Sequence, residues 1–191
     1  MSFMLLGILN SQAAAAAGGG AAFDLLETQV LASTASSVTF TGLDAYSDYK
    51  HLQIRAVLND TKSFNSQTDL VIRFNSDTGT NYSRHALATE AGANGVFSTG
   101  GGSTSAMTVF KGVSRSGAGV WGGSIIDILD FSNTSKNTTM RGFSGTADVN
   151  QVVALSSGTW YNTNAVTSIY LAPESEQGFR AGSRLSLIGV K

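Results

Sequence analysis

The 191-residue chain contains no cysteine, one proline and two histidines, and only 13% of its residues carry charge. Each shortage removes a class of protein. Without cysteine there is neither a disulfide framework nor a thiolate metal site, so stability has to come from packing or from association. Twelve basic against thirteen acidic residues leave a net charge of −1, which argues against a nucleic-acid groove or an anionic-membrane surface. Acid–base chemistry near neutrality has only His51 and His85 to draw on. No membrane span is expected, because the apolar run Phe3–Leu9 stops at Asn10, Ser11 and Gln12, far short of the roughly twenty residues a helix needs to cross. The same run resembles the hydrophobic part of a secretory signal, with small residues at Ala13–Ala17 for cleavage. No Lys or Arg precedes it, however, and the basic start is what orients such a signal.

What the chain does have is glycine, serine, threonine and a hydrophobic content of 42%, enough for one core at this length. Its first charged residue is Asp24. Phe3, Met4, Leu5, Leu6, Ile8 and Leu9 form an apolar plug, and Ala13–Ala22 is a small-residue spacer that buries too little surface to hold a structure alone. The five alanines within it could also form a short helical piece. The expected division is an anchor and spacer over residues 1–22 and a folded domain over 23–191.

From Phe23 onward the dominant period is two, with β-branched and aromatic residues between Gly, Asn, Asp and Ser turns. Phe23–Leu31 and Ser37–Leu43 read as a first strand pair. Lys50–Asn59 is the cleanest alternation, with Leu52, Ile54, Ala56 and Leu58 inward. Further strands are expected at Thr68–Phe74, Tyr82–Thr89, Met107–Val113, Gly123–Phe131, Thr138–Thr146, Val152–Ser156, Ala165–Leu171 and Arg184–Val190, about ten in all. SIIDILDF is dense enough for a central strand, with Asp127 and Asp130 on opposite faces. Ala91–Ser105, with its GVFSTGGGST, reads as a surface loop. Pro173 falls where a strand would end. The pattern predicts an all-β fold, a jelly-roll-like antiparallel β-sandwich preceded by an extended apolar anchor.

Chemistry is sparse. There is no G-x-S-x-G elbow and no H-E-x-x-H, and serine abundance gives no triad without a located base. At strand spacing His85 falls on the face of Leu87, read as core, and His51 faces outward. Asp24, Glu27, Asp127 and Asp130 could pair for glycoside hydrolysis only at separations a sequence does not reveal. Asn75, Asp77 and Gly79 resemble the opening of a calcium loop, but Ala86 stands where the bidentate Glu belongs; a tight turn with Gly79 at positive φ is the simpler reading. Neither an enzyme nor a cofactor is expected. Trp121, Trp160 and Tyr161 are candidates for glycan stacking or for a subunit interface.

YSDYKHLQIRAVL at Tyr46–Leu58 and VIRFNSDTGTNYS at Val71–Ser83 resemble a family of small virion structural proteins of tailed bacteriophages. So do SGTWYNTNAVTSIYL at Ser157–Leu171 and the closing FRAGSRLSLIGVK at Phe179–Lys191. The resemblance covers Phe23–Lys191. Separately, MLLGILNSQA at Met4–Ala13 is similar to a short tag found before unrelated displayed domains in such phages. The resemblance implies a virion location, with capsid, neck or tail proteins as partners, and no catalytic residues. Family members are described as tail fibre or decoration proteins, and a host surface glycan is the alternative partner. Association as a homotrimer would cover exposed edges and triple the number of anchors.

Overall fold

The structure, a computed structural model, describes residues 22–62, 67–91, 95–115, 117, 119–147 and 151–191. The expected anchoring residues Phe3, Met4, Leu5, Leu6, Ile8 and Leu9 lie outside the described residues. The strands are β1 (Phe23–Val30), β2 (Val38–Thr41), β3 (His51–Leu58), β4 (Gln67–Phe74), β5 (Tyr82–Thr89) and β6 (Phe97–Thr104), with one 3₁₀ turn at Leu43–Tyr46. They continue with β7 (Met107–Ser114), β8 (Gly122–Leu129), β9 (Thr138–Thr146), β10 (Val152–Trp160), β11 (Ser168–Pro173) and β12 (Arg184–Val190).

These strands build an antiparallel sandwich of an eight-stranded sheet, β1-β12-β3-β8-β9-β10-β5-β6, and a four-stranded sheet, β2-β11-β4-β7. The pairing is nested: β3 with β8, β4 with β7 and β5 with β6 form a long rolled hairpin. β11 and β12 add to its other side, then β2 and β1 outside them. This is the winding of a jelly roll. β1 and β2 are not a pair, as their adjacency in sequence suggested; they sit in different sheets against β12 and β11. A connection that crosses between layers leaves the same turn residues in the sequence as one that stays within a sheet.

The second correction is β6. FSTGGGST is an edge strand rather than a loop, and its glycines are what let it pair with β5. An added Cβ on Gly100 would lie 2.6 Å from His85 Cδ2 and 2.9 Å from the Arg84 carbonyl oxygen. A side chain there would push the edge away.

The core lies between the sheets. Leu52, Ile54, Ala56 and Leu58 of β3 point inward as the alternation requires, against Leu70, Ile72 and Phe74 of β4 and Phe40, Ile169 and Leu171 of β2 and β11. β8 is central, between β3 and β9, and buries Ile126 and Ile128. Beyond β8 the character of the inner face changes. β9, β10 and β5 turn Gly142, Ser144, Ala154, Ser156, Gly158, Ala86 and Ala88 inward, small residues over which β7 packs closely.

β7 is the edge of the four-stranded sheet, so part of its backbone needs partners elsewhere. Serines of the facing sheet supply them. Ser144 Oγ donates to the Phe110 carbonyl (2.7 Å), the Phe110 N–H donates to Ser156 Oγ (3.0 Å), and Ser124 Oγ donates to the Gly112 carbonyl (3.3 Å). On its other side the Lys111 N–H donates to Asp69 Oδ1 (2.9 Å) at the bulge between β4 and β7.

Candidate functional site

The most distinctive surface is the outer face of the eight-stranded sheet. Strand pairing aligns Arg55, Ile125, Phe143, Leu155 and Leu87 in one row across β3, β8, β9, β10 and β5. The next row holds Val57, Gly123, Gly145 and Val153. The apolar side chains of both rows are between 44% and 55% exposed, where an outward sheet face is ordinarily polar. Around the glycine floor lies a groove of about 760 Å³, walled by Phe23, Leu25, Val57, Ile125, Phe143 and Ile188. Beside it runs a polar chain. The Arg55 guanidinium lies over the Phe23 ring, 5.9 Å from its centre, and its Nε donates to Gln53 Oε1 (2.9 Å). Gln53 Nε2 donates to Asp127 Oδ1 (2.8 Å), whose Oδ2 accepts from Arg141 Nε (2.9 Å).

A second concavity, about 430 Å³, lies where β4 and β11 meet β5 and the end of β6. Arg73 stacks on Tyr170, with Cζ 5.6 Å from the ring centre, while its Nε donates to the Ser105 carbonyl (3.1 Å). Across the cleft, Arg84 pairs with Glu174 at 3.3 Å. One aromatic ring with polar and charged groups on both sides is a surface suited to a polar ligand.

The aromatic candidates from the sequence do not meet. Trp160 is in the core, stacked on Tyr82 (6.4 Å between centres) and edge-on to Phe74 (5.7 Å), so it offers no face to a sugar or a subunit. Trp121 is half-buried over the backbone of Gly182. Tyr161 is exposed. β9 separates the two tryptophans: Trp160 stands opposite Thr138 and Gly122 opposite Thr146, roughly 26 Å apart at about 3.3 Å per residue. Tyr170 carries no distinguishing signal in the sequence, because its strand, SIYLAP, looks like any buried strand.

The histidines and carboxylates are equally dispersed. His85 does share a face with Leu87, but that face is the outer one; Ala86 and Ala88 point inward. The alternation was right and its direction wrong, because leucine sits on the wet side here. His51 faces outward and is half-buried, its Nδ1 accepting the Asp130 N–H at 2.9 Å. Asp24 accepts from Tyr49 Oη (2.9 Å) and pairs with Lys191 (3.5 Å); Glu27 accepts from Gln29; Asp130 pairs with Lys136, which holds its carboxyl below the usual range. None of the four is paired with another. A buried polar knot, in which Asn59 accepts from Arg180 Nε (2.9 Å) and donates to the carbonyls of Gly117 (2.6 Å) and Val120 (2.5 Å), fastens loops together.

The Asn75–Asp77 turn is a clamp. Asp77 accepts N–H groups from Trp160 Nε1 (2.8 Å), Gly79 (2.8 Å) and Asn81 (3.0 Å), and these donors, Trp160 foremost, hold its carboxyl below the ordinary range. A carboxylate surrounded by donors is satisfied without a cation. Asn75 Oδ1 accepts from the N–H groups of Thr167 (2.8 Å) and Ser168 (3.1 Å). The left-handed positions are Asn75 and Ser76, at φ 51° and 56°, not Gly79. The four segments that resemble phage virion proteins meet in two pairs: the FNSDTG turn grips TWY and NAVTS of Ser157–Leu171, and β3 pairs with β12.

Among the described residues no group of three or more His, Asp or Glu could hold a metal ion, and no helix is long and apolar enough to cross a membrane. No family model matches the chain, and a search of curated proteins finds no match. Among solved structures it is similar to "Binding domain of Botulinum Neurotoxin DC in complex with SialylT", at TM-score 0.29 and 9% identity over 86% of this chain and 42% of that one. A second, "Crystal structure of HCR/D-Sa-GBL1/C", gives TM-score 0.27 and 9% identity over the same shares. The chain thus spans under half the length of either.

Proposed function

We propose that this protein is a non-enzymatic structural component of a bacteriophage particle: a β-sandwich displayed on the virion and attached through residues 1–22, as capsid decoration or as part of a fibre. The observation that carries the reading is where the chain enters the fold. Ala22 leads directly into Phe23, at the rim of the exposed apolar groove and on the edge strand β1, so an uncharged attachment segment joins the domain beside an exposed apolar surface. The four sequence segments that resemble virion proteins support the same reading. Deleting Met1–Ala22 should abolish incorporation into particles while the domain keeps its β-sheet circular dichroism. Incorporation of the truncated chain at the full-length level would overturn the reading.

The cleft around Tyr170 favours a second reading, in which the displayed domain binds a host surface glycan. Sugars present apolar faces to rings and hydroxyls to charged groups, and Tyr170, Arg73, Arg84 and Glu174 provide both within one concavity. On a glycan array the full chain should then retain a saccharide that Tyr170→Ala loses without unfolding; retention by that variant would rule this cleft out.

A further inference from the structure

We propose that the outer face of the eight-stranded sheet is a self-association surface, covered in solution by the same face of a second copy of this chain. This inference stands independently of any attachment to a particle. Its first support is shape. Ile125, Phe143, Leu155 and Leu87 form a raised row, and Gly123 and Gly145 a sunken row directly beside it, bounded by Val57 and Val153. A two-fold axis running along the rows, between ridge and furrow, places the ridge of each copy in the furrow of the other. The surface is therefore complementary to itself, the requirement of an isologous interface.

Area and charge point the same way. Eight half-exposed apolar side chains, Phe23 and Leu25 included, amount to on the order of 600 Å², at the upper limit of the patches that ordinary monomers leave open. With the flanking polar chain added, this approaches the roughly 800 Å² per partner of a stable interface. At a net charge of −1 two copies meet little mutual repulsion, and Asp127 and Arg141, beside the ridge, neutralise each other within one chain. The sequence suggested three copies; a ridge and furrow that fit one another call for two.

Sedimentation velocity on the full-length chain over a range of concentrations tests this, with Gly123→Val and Phe143→Lys as variants. No atom lies within 4 Å of a Cβ added at Gly123, so valine there fills the furrow without straining the monomer and without making the face more polar. A wild-type dimer is expected, with a dissociation constant that rises about tenfold or more in each variant while thermal unfolding of the monomer is preserved. A chain that is monomeric at every concentration overturns the proposal. So does an oligomer indifferent to both substitutions, and a three-copy species overturns the two-fold arrangement. Gly123→Val separates shape from stickiness, since it removes the furrow and adds apolar surface.

Discussion

The two halves of the eight-stranded sheet bury opposite kinds of residue. In β12, β3 and β8 the inner face is large and aliphatic: Leu185, Leu187, Leu52, Ile54, Leu58, Ile126 and Ile128 pack against the middle of the four-stranded sheet. In β9, β10 and β5 the stretch of inner face under β7 is glycine, alanine and serine, with Tyr82, Met140, Val152 and Trp160 inward toward the strand ends, and bulk also moves outside to Phe143, Leu155 and Leu87. The difference lies in what covers each half. Over the first, side chains meet side chains at ordinary sandwich distance. Over the second, the edge strand β7 comes close enough for serines to hydrogen-bond its backbone, and its Met107 and Val109 rest directly on Gly158 and Gly142, which leaves no room for side chains at those positions. Amphipathicity therefore inverts within one sheet, and a face that looks outward by composition can be the one inside.

The largest effect is expected where the aliphatic half is truncated. Ile54→Ala should lower unfolding free energy by about 2–5 kcal/mol, from lost burial and the cavity left behind. Leu155→Ala, an aliphatic truncation on the same sheet but on its outer face, should stay within about 0.5 kcal/mol for the monomer. Urea denaturation of both at low protein concentration measures the contrast, and similar losses in the two variants would dissolve it.

The small-residue half should fail in the opposite way, by enlargement. An added methyl on Gly158 would sit 2.7 Å from Met107 Cγ and 2.8 Å from the Ser83 carbonyl oxygen, and the second of these is backbone that cannot swing aside. Gly158→Ala should therefore destabilise by about 1–3 kcal/mol despite the better strand propensity of alanine. A neutral or stabilising result in the same urea titration would mean that β7 is not held at that distance.

This inversion marks the limit of what could be read from the chain. Period two is visible without a structure, and it placed β3, β9 and β12 almost to the residue. Which face is inward is legible only where one face is wholly apolar and the other mostly polar, as in HLQIRAVL. In VVALSSGTW and YSRHALAT both faces are mixed, so His85 and Leu87 went to the wrong side and the apolar outer surface stayed hidden. The cross-strand rows that assemble that surface draw single residues from five strands, and their register is set by tertiary pairing rather than by neighbours in sequence. The Asp77 turn was legible as a turn, but its grip on Trp160 spans 83 positions.

The smallest effects contrast two carboxylates near β4, and their signs oppose. Asp77 lies in a shell of N–H donors, with Trp160 the strongest, and its native pKa is lowered. Its contribution to stability is present above the unfolded value of about 3.9 and is lost as pH falls through the lowered native value. Asp69 is buried at the β4–β7 bulge; desolvation raises its native pKa, although the Lys111 N–H and nearby cations act against this. Its contribution is full below about 3.9 and is lost as pH rises through the raised native value. Asp77→Asn should thus destabilise at neutral pH, with the deficit shrinking toward acid. Asp69→Asn keeps an acceptor for the Lys111 N–H while removing a buried charge, so it should stabilise at neutral pH, and that gain too should fade toward acid. Thermal melts of both variants and wild type from pH 3 to 8 read the two slopes. If the curves for the two variants run parallel rather than converging on wild type from opposite sides, the assignment of donors at Asp77 and burial at Asp69 as the governing influences is wrong.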